Sequence, residues 1–145
     1  MKVKDVLQKK GKEVHSIPPD ISVYDAIKKM SDLNIGALLV LTDGKLAGIV
    51  SERDYRDKVI LMGKRSKDIS VSEIMTKEVY RVKSTDDINT CMRIMTDRKI
   101  RHLPVVDSDS LTGVISIGDV VKSVIDEQKF EINSLRDYIS GNYPG

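Results

Sequence analysis

The feature that most constrains this fold is an internal repeat. The stretch GIVSERD at residues 48–54 returns as GVISIGD at residues 113–119, and the glycine and the aspartate of the two stretches are each 65 residues apart. Residues 17–60 align with residues 82–125 at this distance without a gap. Two copies of a unit of this length indicate a pair that buries its apolar faces between the copies, as an isologous dimer does, and not a solenoid of short repeats.

The repeat sets the predicted domain boundaries within a chain of 145 residues, a length that fits one compact fold. We predict a first repeat at residues 1–65, a second repeat at residues 66–128, and a C-terminal helix and tail at residues 129–145. The polar stretch GKRSKD at residues 63–68 is the predicted linker.

Charge and composition exclude several classes of function. The chain has 24 Lys and Arg against 22 Asp and Glu, so its net charge of +2 provides no broad field for nucleic acid or an anionic membrane. One cysteine and two histidines cannot form a structural zinc site of the usual composition, and we predict neither a metal site nor catalytic residues. A charged amino terminus and the lack of a long apolar run predict a cytoplasmic protein without a signal peptide or membrane span.

Each repeat has the pattern strand, helix, strand, strand, helix, which predicts an α/β fold. In the first repeat, Ser22 is the predicted N-cap of a helix, with Asp25 completing a capping box. We expect this helix to end near Gly36 in the left-handed region. Asp43-Gly44 between two apolar runs predicts a hairpin turn.

Three further elements complete the prediction. Apolar residues at helical spacing in residues 3–7 indicate a short leading helix that ends at the basic residues 9–12. Residues 79–82 form the predicted first strand of the second repeat. An additional amphipathic helix at residues 130–139 is broken by residues 140–145, and we expect it to cover the core, with a lid or a dimer contact as alternatives.

The repeated Ser-x-x-Asp stretch has two interpretations. Ser51 with Asp54, and Ser116 with Asp119, each have the spacing of an ordinary helix N-cap. Both pairs also stand where a strand passes into a helix, and free backbone N–H groups at such a junction attract anions. Because a carboxylate accepts two hydrogen bonds, it suits the paired hydroxyls of a ribose. The pattern therefore fits either a cap or a nucleotide site.

The gapless repeat, the SERD and SIGD junctions and the stretch IRHLPVVD at residues 100–107 resemble a tandem pair of cystathionine-β-synthase (CBS) domains. The resemblance covers residues 3–127. It implies two pseudo-twofold-related repeats packed through their sheets, with clefts that bind adenosine nucleotides such as AMP, ATP or NAD(H). In that family pattern Asp54 and Asp119 hold ribose, and Ser51 and Ser116 approach phosphate.

The resemblance also implies which residues surround each adenine. The residues come from the first strand of a repeat and from the strand that follows its first helix. Around one base these are His15, Ile17, Gly36, Ala37 and Leu38, and around the other Tyr80, Val82, Arg101, His102 and Leu103.

The two predicted sites differ in charge. Arg101 and His102, with Arg53, are the candidates for phosphate contacts, but the first repeat has Gly36-Ala37 in place of Arg101-His102. Ile117, a further candidate ligand contact, takes the place of an acidic residue of the first repeat. We therefore expect the two sites to differ in affinity or in ligand.

Binding residues without a reactive group favour a regulatory module over an enzyme. The first hypothesis is an adenine-nucleotide sensor that changes conformation, passes the signal to a separate, unidentified protein, and forms a homodimer as the family does. The alternative is a ligand-independent dimeric scaffold whose Ser-x-x-Asp motifs are only helix caps. Nucleic-acid binding is disfavoured by the charge balance and by the scarcity of aromatic residues.

Overall fold

The structure, a computed structural model, describes residues 1–11 and 13–141. The predicted breaks at Lys12 and at residues 142–145 lie outside the described residues. The helices are α1 (Val3–Lys10), α2 (Val23–Leu33), α3 (Glu52–Tyr55), α4 (Ile88–Arg98) and α5 (Ile117–Ser140). A π-helical segment (Arg56–Ile60) continues α3, and a 3-10 turn (Val71–Glu73) precedes the second repeat. The strands are β1 (Ser16–Ile17), β2 (Ala37–Thr42), β3 (Lys45–Ser51), β4 (His102–Asp107) and β5 (Ser110–Ser116).

Each repeat contributes a small sheet, and the predicted α/β class is confirmed. In the first sheet β1 pairs parallel with β2, which pairs antiparallel with β3. In the second sheet β4 and β5 pair antiparallel in the equivalent register. Strands β3 and β5 lie against each other, so the two repeats meet through their sheets.

The strand predicted at residues 79–82 is reduced to a single parallel bridge between Val82 and Val105. In the first repeat the backbone N–H of Leu39 donates to the carbonyl oxygen of His15 at 3.4 Å. The equivalent residue in the second repeat is Pro104, which has no N–H to donate. The ladder therefore shortens, although the Val82 N–H still donates to the Pro104 carbonyl at 3.0 Å.

The end of α2 differs from the prediction, whereas the hairpin turn is confirmed. Asn34, and not Gly36, takes the left-handed conformation at the helix end, with φ 54°. Asparagine tolerates this region better than most side chains, so a glycine is not required there. Asp43 and Gly44 have φ values of 51° and 77°, as a hairpin turn with two positive φ angles needs.

The leading segments of the two repeats are exchanged between the cores. Helix α1 precedes the first repeat in sequence, but Val3, Val6 and Leu7 are buried in the core of the second repeat. The 3-10 turn that precedes the second repeat contributes Val71 to the core of the first, and Ile74 follows it there. Each segment thus covers the sheet of the other repeat, which joins the two repeats into one unit.

Two equivalent glycines of β3 and β5 make room for the exchanged segments. A Cβ atom on Gly113 would lie 2.7 Å from a methyl group of Leu7. A Cβ atom on Gly48 would lie 2.8 Å from the carbonyl oxygen of Thr76. Both distances are shorter than atomic contact allows, so the absence of a side chain lets the segments approach the strands.

The C-terminal helical segment is confirmed, but it continues the last helix of the second repeat without a break. No glycine or proline interrupts residues 119–140, and α5 ends at Gly141 with φ 77°. The expectation that this segment covers the core is wrong, because Phe130 and Ile139 are 73% and 76% exposed. Among the described residues, none of the helices combines the length and apolar character needed to cross a membrane.

Candidate functional site

A cleft of about 730 Å³ lies between the two repeats and is called the central cleft below. Residues of both repeats form it, so it exists only in the assembled pair. Its first-repeat residues are Gly36, Ala37, Ile49, Ser51, Glu52, Arg53, Asp54 and Arg56. Its remaining residues are Thr76, Glu78, Val79, Tyr80, Arg98, Lys99, Ile100, Arg101 and His102.

The first Ser-x-x-Asp junction forms a capping box at the edge of this cleft. Strand β3 ends at Ser51, whose hydroxyl accepts from the backbone N–H of Asp54 at 3.3 Å. Asp54 Oδ2 accepts from the backbone N–H of Ser51 at 2.9 Å and from its hydroxyl at 3.2 Å. The junction is therefore rigid, and Asp54 is held at the cleft wall with only 9% of its surface exposed.

The second carboxylate oxygen of Asp54 is paired with a lysine one helical turn away. Lys58 Nζ lies 3.0 Å from Asp54 Oδ1 and donates to the carbonyl oxygen of Ile74 at 2.8 Å. A carboxylate offers about four lone-pair positions, and three are occupied here. Asp54 can thus accept one further hydrogen bond directly, and a second one if the ammonium of Lys58 turns away.

Positive charge exceeds negative charge around the central cleft, with five Arg and Lys against three Asp and Glu. Arg53 crosses from the first repeat to donate to the carbonyl oxygen of Lys99 at 3.1 Å. The guanidinium carbon of Arg98 lies 4.8 Å from the ring centroid of Tyr80. Arg101 is exposed and immediately precedes β4. The cleft therefore suits an anionic ligand with a planar group.

His102 is a titratable residue of the cleft that is uncharged at neutral pH. Burial lowers the pKa of His102 most, and the charge of Lys10 lowers it further. Asp119 and Glu52 act in the opposite direction and Arg101 adds to the lowering, so the net shift is downward. The pKa of His102 in the folded protein is therefore below its ordinary value. At neutral pH its imidazole donates one hydrogen bond and accepts another, which suits a ligand with both kinds of group.

We expect the shift at His102 to produce a pH-dependent stability. The unfolded chain takes up a proton near pH 6.5, before the folded protein does, so the free energy of unfolding should fall as pH drops from about 7 to 5. Urea unfolding at several pH values measures this slope. His102→Asn should flatten it, since the substitution removes the titrating group. A slope that His102→Asn leaves unchanged would assign the pH dependence to other residues.

The second Ser-x-x-Asp junction has the same capping geometry but a different neighbour. Asp119 Oδ2 accepts from the backbone N–H of Ser116 at 2.9 Å and from Lys10 Nζ at 2.6 Å. Lys10 also donates to the carbonyl oxygen of Val114 at 2.9 Å. Burial acts to raise the pKa of Asp119, but the bonds from Lys10 and Ser116 outweigh it and lower that pKa. The last turn of α1 thus supplies a cation to this carboxylate.

The CBS domain model matches the chain twice, at residues 3–60 and at residues 71–126. The chain belongs to the CBS-domain family. The matched ranges begin at Val3 and Val71, so the family unit includes the exchanged leading segments described above.

Relatives of this CBS pair span nearly all of the chain. It is 41% identical over 150 residues to the mitochondrial CBS domain-containing protein CBSX3 of Arabidopsis thaliana, with 97% of this chain and 73% of that protein covered. A crystal structure of a CBS-domain containing protein from Agrobacterium tumefaciens is 41% identical with a TM-score of 0.81, covering 85% of this chain and 98% of that one.

A second structure carries ligands. The CBS domain pair of a protein named MJ0100, in complex with 5′-methylthioadenosine and S-adenosyl-L-methionine, is 26% identical with a TM-score of 0.77. The match covers 88% of this chain and 98% of that chain. The fold described here is therefore one that holds adenosine-containing molecules in that protein.

The central cleft of this CBS pair contains half of the site residues predicted from sequence. The predicted residues that line it are Ser51, Arg53, Asp54, Gly36, Ala37, Tyr80, Arg101 and His102. The cleft thus brings Ser51 and Asp54 of the first junction together with Tyr80, Arg101 and His102 of the second repeat, of which the sequence analysis had grouped only Arg101 and His102 with the first junction, through Arg53.

The other predicted residues lie outside the central cleft. Ile17, Leu38, Val82 and Leu103 have their side chains in the two cores. His15 is half-buried, with its Nε2 atom 3.9 Å from Glu13 Oε1. Ser116, Ile117 and Asp119 belong to the second junction, where Lys10 lies.

Several residues of the cleft were missed in the sequence. Arg98 and Lys99 lie just before β4, Glu78 lies four residues before the bridge at Val82, and Glu52 lies inside the first junction. Glu52 stands between the predicted Ser51 and Asp54, so its position was a usable signal. The other three reach the cleft only because the second repeat packs against the first junction, a contact that the sequence does not display.

Proposed function

We propose that this CBS pair is a regulatory module that binds an adenine nucleotide, such as AMP, ATP or NAD(H), in the central cleft. The observation that carries the proposal is the combination within one cleft of a buried junction carboxylate, Asp54, with an excess of positive charge from both repeats. The complex of the MJ0100 pair with adenosine-containing ligands supports the ligand class.

The proposed pose follows from the chemistry of the cleft walls. Asp54 accepts a ribose hydroxyl, and turning Lys58 away allows it to accept the second one. Arg101 and Arg53 contact phosphate, because both present guanidinium groups whose fork geometry matches phosphate oxygens. His102 and Tyr80 flank the base or its linking group.

Binding in this cleft bridges the two repeats. Asp54 and Arg53 come from the first repeat, whereas Tyr80, Arg101 and His102 come from the second. A ligand that contacts both repeats stabilises one arrangement of the two repeats relative to the others. The difference in its affinity for these arrangements sets the size of the conformational response. We propose that a separate regulated protein detects this response.

The two junctions of the chain are not equivalent in this proposal. Lys10 Nζ lies 2.6 Å from Asp119 Oδ2 and belongs to a helix packed into the second core. While this ammonium stays in place, a ribose hydroxyl can reach only the other oxygen, Oδ1, and Asp119 does not line the central cleft, whereas Asp54 does. We therefore propose one nucleotide per chain, bound at Asp54.

Three further properties belong to this proposal. A binding module without catalytic chemistry, a homodimer and a cytoplasmic location are proposals here, and the Arabidopsis relative is named as mitochondrial.

The scaffold alternative has one specific observation in its favour. Both Ser-x-x-Asp motifs form complete capping boxes, so helix capping alone accounts for their spacing.

Thermal unfolding against a ligand panel tests the proposal. The panel contains AMP, ADP, ATP, NAD, NADH, S-adenosylmethionine and 5′-methylthioadenosine, with inorganic phosphate as a control for simple anion effects. A ligand at a hundred times its dissociation constant should add about 2.7 kcal/mol to the folded state. For a chain of this size we expect a rise of roughly 5 to 11 °C. No rise with any adenosine compound would contradict the proposal and favour the scaffold.

A further inference from the structure

The outer face of α5 carries an apolar stripe with the spacing of a coiled coil. Val121, Ile125, Ile132, Leu135 and Ile139 are 47%, 45%, 50%, 60% and 76% exposed. With the exposed Gln128 they follow one another at intervals of four, three, four, three and four residues. Taking Ile125 as position a of a heptad, all six occupy positions a and d.

The stripe faces away from the core of its own chain. Val120 and Ser123, on the opposite side of α5, are the buried residues of this helix. The amino group of Met1 lies 3.3 Å from Glu127 Oε1 and ties the helix to the folded body at that point. Residues 128–140, called the distal arm, extend beyond it for about 20 Å.

The distal arm gains little stabilisation from packing within the described part of its own chain. Apart from the partly buried Ser134, its side chains are exposed. Isolated helices shorter than about 12 to 15 residues are marginal in water, and most helical stability in proteins comes from packing an apolar face. A second helix along the stripe would supply that packing over the whole length from Val121 to Ile139.

The charges beside the stripe fit a second copy of the same helix in parallel. In a parallel coiled coil, position g of one helix lies beside position e of the next heptad in its partner. Here these positions are Glu131 and Arg136, so a symmetric pair places each glutamate beside the arginine of the second copy. Both residues are exposed and available for this contact.

The same charges disfavour an antiparallel pair. In the antiparallel register that overlaps the whole stripe, equivalent e and g positions face each other. Lys129 would then lie beside its own copy, Lys122 beside Arg136, and Glu131 beside its own copy. Each of these contacts joins like charges, which costs stability.

We propose that α5 is a dimerisation arm, with Val121 to Ile139 forming a parallel two-stranded coiled coil with a second copy of this chain. Gln128 is the single polar residue of the stripe. In the coiled coil it pairs with Gln128 of the second copy, and one buried polar pair of this kind fixes the register of the two helices. The inference concerns the partner face and not the ligand, so its test uses protein without nucleotide.

Disulfide cross-linking of the full chain tests the parallel arrangement. In a parallel pair each d position lies beside its own copy, so Leu135→Cys should form covalent dimers rapidly under mild oxidation. Phe130→Cys is the matched control, because Phe130 is equally apolar and exposed but lies on the opposite face. The native Cys91 does not compete, since it is buried and burial, with help from two nearby aspartates, raises its pKa to about 11.

A charge exchange adds a second readout. In the Leu135→Cys background, Glu131→Lys should weaken the dimer about five- to thirtyfold and slow cross-linking accordingly. Adding Arg136→Glu to this variant should restore both the dimer affinity and the rate of cross-linking. Equal cross-linking of Leu135→Cys and Phe130→Cys, or none with either, would overturn the proposal. Preferential cross-linking between Ile125→Cys and Leu135→Cys chains would also overturn it, since that pattern belongs to the antiparallel pair.

Discussion

Leu7→Ala is expected to lower the free energy of unfolding by about 2 to 5 kcal/mol. Leu7 is 2% exposed in the core of the second repeat, and its methyl groups pack on the space left by Gly113. Removing three carbon atoms there leaves a cavity that the rigid strand β5 cannot close. Urea unfolding measures the loss.

A matched leucine and an internal probe make this result specific. Leu33→Ala, at a side chain 38% exposed at the end of α2, should cost less than about 1 kcal/mol. Cys91 belongs to the same core as Leu7, so its reactivity toward a thiol reagent should rise in Leu7→Ala. A small stability loss with Cys91 still protected would show that α1 is not part of the second core.

The exchange of leading segments explains why the boundaries of the structural units do not follow the order of the chain. The gapless repeat has an offset of 65 residues and begins only at the first strand of each repeat. Val3, Val6 and Leu7 recur with the same spacing as Val71, Ile74 and Met75, but 68 residues apart. One gap of three residues in the alignment of the two repeats brings these residues into register, but the alignment does not show which core each segment enters.

Predictions that depended on local chemistry alone were more accurate than those that depended on packing. The Asp43-Gly44 turn is confirmed because two positive φ angles select these residue types. The strand at residues 79–82 is only a bridge, because the proline that limits it stands more than 20 residues away on β4. The C-terminal helix was predicted from its apolar face, but the prediction that this face covers the core was wrong, because the face is exposed.

The candidate site shows the same difference between features set by local sequence and features set by packing. The Ser-x-x-Asp junctions are local, and both capping boxes form. Lys58 and Lys10 pair with the two junction aspartates, and neither was predicted. Lys58 is one helical turn from Asp54 and could have been expected, whereas Lys10 reaches Asp119 only because α1 packs on the second repeat.

Asp54→Asn is expected to weaken nucleotide binding about ten- to a hundredfold. The substitution keeps the size of the side chain and an oxygen that can cap α3, but it removes the charge and one acceptor from the cleft wall. Hydrogen bonds to a charged group contribute about 1.5 to 3 kcal/mol, which corresponds to that loss of affinity. Isothermal titration calorimetry with the ligand that gives the largest thermal shift measures the change.

Asp119→Asn is the matched control, since it makes the same change at the equivalent junction of the second repeat. Because Asp119 does not line the central cleft and its Oδ2 atom is held by Lys10, this variant should bind nucleotide within about threefold of the wild type, a difference below 1 kcal/mol. If Asp119→Asn loses binding while Asp54→Asn retains it, the ligand lies at the second junction and must displace Lys10. If both variants bind as the wild type does, the two aspartates are helix caps, and the ligand is held by the arginines of the cleft without a ribose contact.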